Sequence, residues 1–493
     1  MKITKDQVKK KVDTHFHKDV KNDSYHIESI KGSELLTFNR FDLAFKILYL
    51  EMIENKVIFS KKIYKDHIRA FSLGKFEEPG SLDKNSIDQY YQNFLKIFES
   101  IDLNDFSSDQ SLVPLSIDGS IANGSHRVAS AIVTNKIVDC IKLNASNHIY
   151  DYSFFYKRGV PENFLDIAAT KFVEYSSNVY IAIIWPSAVG CESEINKIIK
   201  NIIYKKNVKL DFQGAHNLIS QIYYGEDWIG SEKDGFSGAK HKLVECFKTY
   251  NSVRVIAFKA DNFNDVINTK QKIRDIFKIG KHSIHITDNK DEAIRVSRTL
   301  FNANSIHMLN HSVPNKYLQV HKNIEYLKDF ALSNKLMYED FVVDGSMLLA
   351  LYGLRKSVDI DLLCNSDSVQ NMPKGIGLHD DELFHHQETK NELIYNPDFY
   401  FYFNGLKFLS FERVFFMKKN RSELKDLNDC SMMEALLERN RFKKNKATFI
   451  QFILYSRVKG RSIVISLLKF LKIYLIIKHV YLSLFSNSFH SKK

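Results

Sequence analysis

The chain has 493 residues, a formal net charge of +12, and the 44% hydrophobic and 26% charged content of an ordinary globular protein. That length is too great for one compact core, so we expect two to four domains. The positive charge favours polyanionic partners, namely nucleotides, nucleic acid or an anionic membrane surface, without choosing among them. The five cysteines are scattered and form no Cys-x-x-Cys pair, which argues against a disulfide framework or a structural zinc site. No apolar stretch near Met1 suits a signal peptide, so a cytoplasmic location is expected.

The N-terminal part, 1–150, is predicted to join helices to one small nucleotide-binding domain. Residues 1–77 have a largely helical pattern, and apolar residues recur at helical spacing from Ile87 to Ile101. From Val113 to Val133 the pattern predicts a strand, a Gly-containing turn, a short strand and an Ala-rich helix. A further strand is expected from Val138 to Leu143.

The segment Asn123-Gly-Ser-His-Arg127 opens that Ala-rich helix and carries groups suited to a phosphate. Gly124 lets a ligand approach the backbone, the N–H groups of the first turn face an anion, and Arg127 can donate two parallel hydrogen bonds. His126 and Arg127 can equally cap and brace the helix without any ligand.

In residues 70–145 this order of elements resembles the ParB/sulfiredoxin-like domain, whose Gly-x-His-Arg or Gly-x-Arg-Arg box binds nucleotide phosphates. The resemblance implies that Gly124, Ser125, His126 and Arg127 bind nucleotide. ParB proteins bind CTP, whereas sulfiredoxins and free-serine kinases of this fold use ATP. The DNA-reading helix-turn-helix of ParB is not found after the box.

Residues 151–312 alternate predicted strands and helices, which predicts a central α/β domain with a parallel sheet. Its strands are expected at Val179–Trp185, Val208–Leu210, Val253–Phe258 and Ser283–Thr287. Polar residues in the connections include Trp228, Lys281 and His282, and His285 lies within the last strand. We expect both histidines to be solvated or structural, because no carboxylate partner is fixed by the sequence. As a whole, 1–312 resembles uncharacterised proteins from bacterial surface-polysaccharide gene clusters.

The stretch from Phe341 to Leu363 predicts a buried strand, a Gly345-Ser346 turn, a short helix, and a second strand that carries Asp359 and Asp361. Alternate residues of a strand share a face, so both carboxylates project together and suit a divalent cation. The turn offers backbone N–H groups to a phosphate. Together these are the parts that phosphoryl or nucleotidyl transfer requires.

The order Gly-Ser, helix, Asp-x-Asp is similar to the nucleotidyltransferase superfamily, which includes DNA polymerase β, aminoglycoside nucleotidyltransferases and abortive-infection toxins. A second segment, Leu406 to Arg421 followed by Lys425-Asp426 and Asp429, resembles the strand, helix and Arg-x-x-x-Lys-Asp-x-x-Asp run of the toxin-like branch.

That resemblance implies Mg²⁺ or Mn²⁺ on Asp359 and Asp361, and nucleotide phosphates on Gly345 and Ser346. It also implies a third carboxylate, for which Asp398 is the first candidate, with Glu412 and Asp381 as alternatives. Lys418 and Arg421 either steady the triphosphate or belong to a solvated helix face.

The predicted architecture is therefore multidomain α/β and α+β: 1–150, the central domain 151–312, a nucleotidyltransferase-like domain with a mixed sheet at 313–445, and a basic apolar helical tail at 446–493. Residues 364–397 form an irregular insertion rich in charge and histidine (His379, His385, His386). The segment 462–485 carries three lysines, which argues against a membrane-spanning helix. It either lies on an anionic membrane surface or packs on the protein.

The first functional hypothesis is a Mg²⁺-dependent nucleotidyltransferase that moves a nucleotidyl group from an NTP to an acceptor hydroxyl, with a surface-polysaccharide precursor as a candidate acceptor. A second is an ATP-dependent small-molecule kinase acting through the ParB-like domain. A third is a nucleotide-gated nucleic-acid-binding protein, or a nucleotidyltransferase of the toxin type.

Overall fold

The computed structural model describes residues 1–78, 84–249, 251–365 and 372–470. The chain divides into two compact units, Met1–Arg413 and Val414–Lys493. The strands are β1 (Lys2–Thr4), β2 (Ser24–Lys31), β3 (Val113–Leu115), β4 (Ile137–Lys142), β5 (Val179–Ile184), β6 (Ile202–Val208), β7 (Val253–Lys259), β8 (Ile284–Ile286), β9 (Phe341–Asp344), β10 (Ile360–Cys364), β11 (Ile376–Leu378), β12 (Tyr400–Phe403) and β13 (Leu406–Leu409).

The α-helices are α1 (Lys5–Lys11), α2 (Asp42–Ile53), α3 (Ile58–Ser72), α4 (Ile87–Asn104), α5 (Ser125–Val133), α6 (Tyr152–Lys157), α7 (Glu162–Tyr175), α8 (Glu192–Ile198), α9 (Phe212–Ile222), α10 (Ser237–Cys246), α11 (Phe263–Phe277), α12 (Lys290–Leu300), α13 (Ala303–His311), α14 (Gln319–Ser333), α15 (Ser346–Leu351), α16 (Leu383–His386), α17 (Lys390–Tyr395), α18 (Phe411–Arg421), α19 (Leu424–Leu437) and α20 (Arg441–Phe470).

The first sheet has the strand order β1-β2-β4-β3, with β3 and β4 parallel and the other pairs antiparallel. The strand–turn–helix–strand order predicted from Val113 to Leu143 is confirmed for β3, α5 and β4, whereas the second short strand is reduced to a single bridge at Ile121. Residues 1–77 are not wholly helical, because β1 and β2 extend this sheet. The almost entirely buried helix α2 packs on α3, α5 and α7.

The central sheet has the order β6-β7-β5-β8, and every adjacent pair is antiparallel. The predicted parallel sheet is therefore wrong. The helices α8 and α11 do connect strands of the same direction, β5 to β6 and β7 to β8, but a strand of opposite direction lies between the members of each pair. This is the interleaved β-α-β-β-α-β arrangement of ferredoxin-like folds, with α9 and α10 added between its halves. Alternation of strands and helices predicts that each helix connects two strands of the same direction. It does not predict whether those two strands are neighbours in the sheet.

The third sheet is mixed, as predicted, with the order β11-β10-β9-β13-β12. The strand β9 is antiparallel to β10 and parallel to β13, so it lies at the centre. Its four residues are all buried, as is the short helix α15 that follows it.

The three sheets lie within the predicted segments 1–150, 151–312 and 313–445, yet all three belong to one compact unit. The helix α20 runs without a break through the last predicted boundary, at 445/446. Within the second unit α20 packs on α19, where the Asn428 amide donates to the Ala447 carbonyl (3.2 Å) and to Gln451 (2.8 Å). Of the predicted tail segment 462–485, the part after residue 470 lies outside the described residues. None of the described helices is long and apolar enough to cross a membrane.

Candidate metal centre at the end of strand β9

The turn between β9 and α15 forms around Gly345, whose φ of +65° is one that side chains rarely allow. A Cβ atom at this position would lie 2.5 Å from Asp361 Oδ2. Asp361 in β10 is the direct register partner of Asp344 in β9, so both side chains lie on one face of the sheet. Glycine is therefore required both by the backbone and by the carboxylate packed against it.

Asp359 is exposed and lies just before β10, so the strand itself does not fix its position. A small group of hydroxyls contacts it instead. Ser346 Oγ lies 3.2 Å from Asp359 Oδ1 and 2.6 Å from Ser357 Oγ. Ser357 Oγ in turn donates to the Asp359 carbonyl at 2.5 Å. The structure thus brings together the predicted residues Gly345, Ser346, Asp359 and Asp361. They lie at the end of the sheet where β9 ends and β10 begins.

Next to them is a buried cluster that the sequence did not predict, made of Asp344, His379 and His386. Asp344 Oδ2 lies 2.7 Å from His379 Nδ1 and 2.9 Å from His386 Nε2, and Asp344 Oδ1 accepts a hydrogen bond from the Gly345 N–H at 2.6 Å. The three side chains each present one ligand atom, and these atoms lie within 4.8 Å of one another. The side chains of Asp344 and His386 are fully shielded from solvent.

The two histidines determine the charge of this cluster. Burial alone would raise the pKa of Asp344, but His386 and His379 outweigh burial and hold that pKa well below its usual range. The Nδ1 atom of His386 is buried and has no hydrogen-bond partner among the described residues. The cluster is an ionised carboxylate facing two imidazoles, of which His386 is fully buried and His379 is partly exposed.

The donor atoms fit divalent cations of two kinds. Two imidazoles and one carboxylate are a ligand set for Zn²⁺, Mn²⁺ or Fe²⁺, whereas the oxygen-only pair Asp359 and Asp361 suits Mg²⁺ or Mn²⁺. The chain places these two sets next to each other, since Asp344 and Asp361 are cross-strand neighbours.

The structure does not bring Asp398 to this group. Asp398 precedes β12, and three strand spacings separate β12 from β10, which is roughly 14 Å at about 4.8 Å per spacing. Its carboxylate accepts from the Asn163 amide of α7 at 3.2 Å, and burial raises its pKa. The alternatives Asp381 and Glu412 are both exposed.

Lys418 and Arg421 lie in the second unit, where they form ion pairs with carboxylates of that unit. Lys418 is only 2% exposed and lies 3.1 Å from Asp426 Oδ1 and 2.9 Å from Asp429 Oδ2. Arg421 Nε lies 2.7 Å from Asp426 Oδ2. Burial opposes ionisation of Asp426, but Arg421 and Lys418 lower its pKa. Within the second unit these cations therefore stabilise the α18–α19 turn, and a role toward phosphate stays a prediction.

The box at the start of α5 has the backbone expected of it, with Gly124 in the left-handed region at φ +86° immediately before Ser125. Arg127 folds back over Gly124 and donates to Ser111 Oγ at 2.6 Å. His126 Nε2 meets the Tyr64 hydroxyl at 2.8 Å. Burial, together with nearby cations, holds the pKa of His126 well below its usual range, so this imidazole is neutral. Both side chains brace the helix, and a nucleotide role for the box stays a prediction.

A scan against protein-family models and searches of curated proteins and of solved structures found no significant match to this chain. The residues that sequence reasoning missed are Asp344, His379 and His386. Two signals pointed to them: an aspartate ending an otherwise apolar strand, and histidines in the insertion after β10. These two signals could be combined only once the strand pairing was known, because the pairing of β11 with β10 brings His379 next to β10.

Proposed function

We propose that this chain is a divalent-metal-dependent nucleotidyltransferase, which moves a nucleotidyl group from an NTP to an acceptor hydroxyl. The observation that supports it is the meeting of Asp359, Asp361 and the Gly345-Ser346 turn at one sheet edge. Asp344, on the same face, provides the third carboxylate in place of Asp398.

In this proposal Asp359 and Asp361 bind the cation that would neutralise the triphosphate. Gly345 has no side chain, which leaves room for the Asp361 carboxylate. Ser346 orients the Asp359 carboxylate through the hydroxyl contact described above. The acceptor oxygen bonds to the α-phosphorus in line while the bond from that phosphorus to the bridging oxygen breaks and pyrophosphate leaves. The acceptor proton passes to solvent or to one of the carboxylates.

We further propose that Asp344, His379 and His386 bind a first-row transition metal. Three donor atoms within 4.8 Å, one of them an ionised buried carboxylate, support this. The neighbouring position is formed by oxygen atoms alone, so it favours Mg²⁺, whereas the position with two imidazoles favours Zn²⁺.

The test is to incubate the protein with labelled NTPs and Mg²⁺ or Mn²⁺, supply candidate acceptors including surface-glycan precursors, and follow pyrophosphate release. Asp359→Asn combined with Asp361→Asn should abolish release. The matched control is Asp329→Asn, an exposed carboxylate on α14 that should leave release unchanged.

An activity that survives the double substitution but fails with Arg127→Ala would instead support the kinase hypothesis. Strongly salt-dependent binding to duplex DNA that CTP weakens would support the nucleic-acid hypothesis.

A peripheral location on an anionic membrane surface is proposed for the C-terminal region. The support is that α20 exposes large apolar side chains, among them Phe449, Phe452 and Leu467, on a helix that also carries Arg457, Lys459 and Arg461. Apolar and basic groups on one helix are the composition of interfacial helices.

A further inference from the structure

A cavity of about 580 Å³ lies beside the central sheet and plays no part in the chemistry proposed above. It is lined by α10, α11, the segment before β8, and two aromatic residues that follow α9. The lining residues used below are Tyr223, Trp228, Lys242, Arg274, Lys281 and His282.

The cavity is strongly basic. Lys242, Lys270, Arg274 and Lys281 line it, and Glu245 is the one carboxylate among its lining residues. Of these cations, Lys270 is paired with Asp288 at 3.0 Å. The described part of the chain therefore leaves an excess of positive charge facing this space, which favours an anionic occupant.

Two polar atoms at the cavity have no partner among the described residues: Arg274 Nε and His282 Nδ1, both buried. A buried polar atom without a partner costs free energy, and both residues also line the cavity, so a side-chain rotation toward a ligand would remove that cost. Burial and the like charges of Lys281 and Arg274 lower the pKa of Lys242, which an anion would reverse. The positive charge of the lining residues therefore favours an oxyanion at this site.

One side of the cavity is aromatic. The rings of Tyr223 and Trp228 meet edge to face with centroids 5.0 Å apart. Lys242 Nζ lies 4.8 Å from the Tyr223 ring centre and 5.9 Å from that of Trp228. Trp228 is still 45% exposed, so a ring face remains for stacking. Base stacking on aromatic side chains is tolerant of sequence and contributes substantially to nucleotide binding.

We propose that this cavity binds a nucleoside phosphate, with the phosphates on Arg274, Lys242 and Lys281 and the base against Trp228. An excess of cations alone would accept any phosphate, and the adjacent exposed indole selects a ligand that also carries a planar ring. His282, which the sequence predicted to be solvated or structural, would donate a hydrogen bond to this ligand or accept one from it. The site consists only of residues 223–285 and stands whether or not the chain transfers nucleotidyl groups.

The chain has two tryptophans, and the other one, Trp185, is fully buried, so tryptophan fluorescence can report on this cavity. The full-length protein is titrated with ADP and GDP without added metal, and with adenosine, inorganic phosphate and pyrophosphate as separate arms. Isothermal titration calorimetry on the same samples gives the dissociation constants independently. Saturable fluorescence change is expected with the nucleoside diphosphates and should disappear in Trp228→Phe.

The charge test compares two positions on α11. Arg274→Gln should weaken nucleoside diphosphate binding by roughly ten- to a hundred-fold, since it removes a charge-assisted hydrogen bond to phosphate. Lys272→Gln removes an equal charge from the exposed side of the same helix and should leave the affinity unchanged. An equal loss of affinity in both variants would show that only the overall charge of the protein matters, and it would overturn the proposal.

Three further results would also overturn it. The first is the absence of saturable binding by any nucleoside diphosphate at millimolar concentration. The second is binding of inorganic phosphate as tight as that of ADP, which would remove the role assigned to Trp228. Nucleotide binding that persists in Trp228→Phe without any fluorescence change, and with unchanged affinity in Arg274→Gln, would place the nucleotide elsewhere and contradict it as well.

Discussion

Asp42, the first residue of α2, is a carboxylate with no exposure to solvent, and it is neutralised by two cations that are themselves buried. Arg40 donates to it through Nε at 2.8 Å and Nη2 at 2.9 Å, and Lys46 Nζ lies 2.9 Å away. Lys46 also contacts the ring of the buried His67 at 3.1 Å. Removing one member of such a group leaves uncompensated charge in the core.

We therefore expect Asp42→Asn to lower the free energy of unfolding by about 3–5 kcal/mol, measured by urea denaturation at neutral pH. The exposed Asp102→Asn should change it by less than about 0.5 kcal/mol. Equal stabilities for the two variants would show that the buried group contributes nothing specific.

The same residue predicts how stability depends on pH. Burial opposes ionisation of Asp42, but Arg40 and Lys46 outweigh burial and lower its pKa far below the ordinary value. A group with a depressed folded-state pKa stabilises the fold above its unfolded pKa, which is about 4, and loses that contribution as the pH falls further. Stability of the wild type should thus decline below about pH 4, and Asp42→Asn should show a shallower decline.

His386 and His385 form a matched pair for the metal proposal. His386 contacts Asp344 with its side chain fully buried, whereas His385 is more exposed and lies 3.6 Å from Glu382. His386→Gln should weaken Zn²⁺ binding at least about ten-fold, because one of three ligands is lost. His385→Gln should bind as the wild type does, and calorimetric titration of the metal-free protein decides between the two outcomes.

At the scale of elements, the β9–α15 turn can be tested against a second glycine turn in the same sheet. Gly345 and Gly405 both have positive φ, but a Cβ at Gly405 would meet nothing within 4 Å, whereas one at Gly345 would lie 2.5 Å from Asp361 Oδ2. Each alanine substitution should cost about 1–3 kcal/mol of stability through backbone strain. Only Gly345→Ala should also displace the Asp361 carboxylate, so metal binding and pyrophosphate release should fall in that variant and not in Gly405→Ala.

The local part of this site could be predicted from the sequence, and the remote part could not. The order of β9, Gly345, α15 and Asp361 follows from apolar runs, a glycine and alternation within about 20 residues. Asp344 meets His379 and His386, which are 35 and 42 residues further along, only through sheet pairing. Asp398 failed as a candidate for the same reason, because the sequence does not state how many strands separate β12 from β10.

At the scale of the whole molecule, the +12 charge and the C-terminal region predict attachment to anionic vesicles. The full-length protein should co-sediment with them at low salt and be released as salt rises. A chain ending at Phe470 keeps the contacts of α20 with α19 but loses four lysines, each contributing about 1 kcal/mol near an anionic surface. It should remain folded and bind more weakly than the full chain, because the exposed apolar and basic residues of α20 up to Phe470 remain. Aggregation of the shortened chain would mean that the removed segment belongs to the protein core.

The interleaved central sheet has a consequence for the order in which this chain can fold during synthesis. The strands β5 and β6 do not pair with each other, and their shared partner β7 begins 69 residues after β5 ends, counting from Ile184 to Val253. At about 5–20 residues per second, a ribosome needs roughly 3 to 14 seconds to supply that partner. For those seconds the apolar strand β5, Val-Tyr-Ile-Ala-Ile-Ile, is outside the exit tunnel without its neighbour on either side. Nascent chains paused after β5 has left the tunnel and before β7 has left it should therefore be the ones that chaperones hold, and the ones that aggregate when chaperones are scarce.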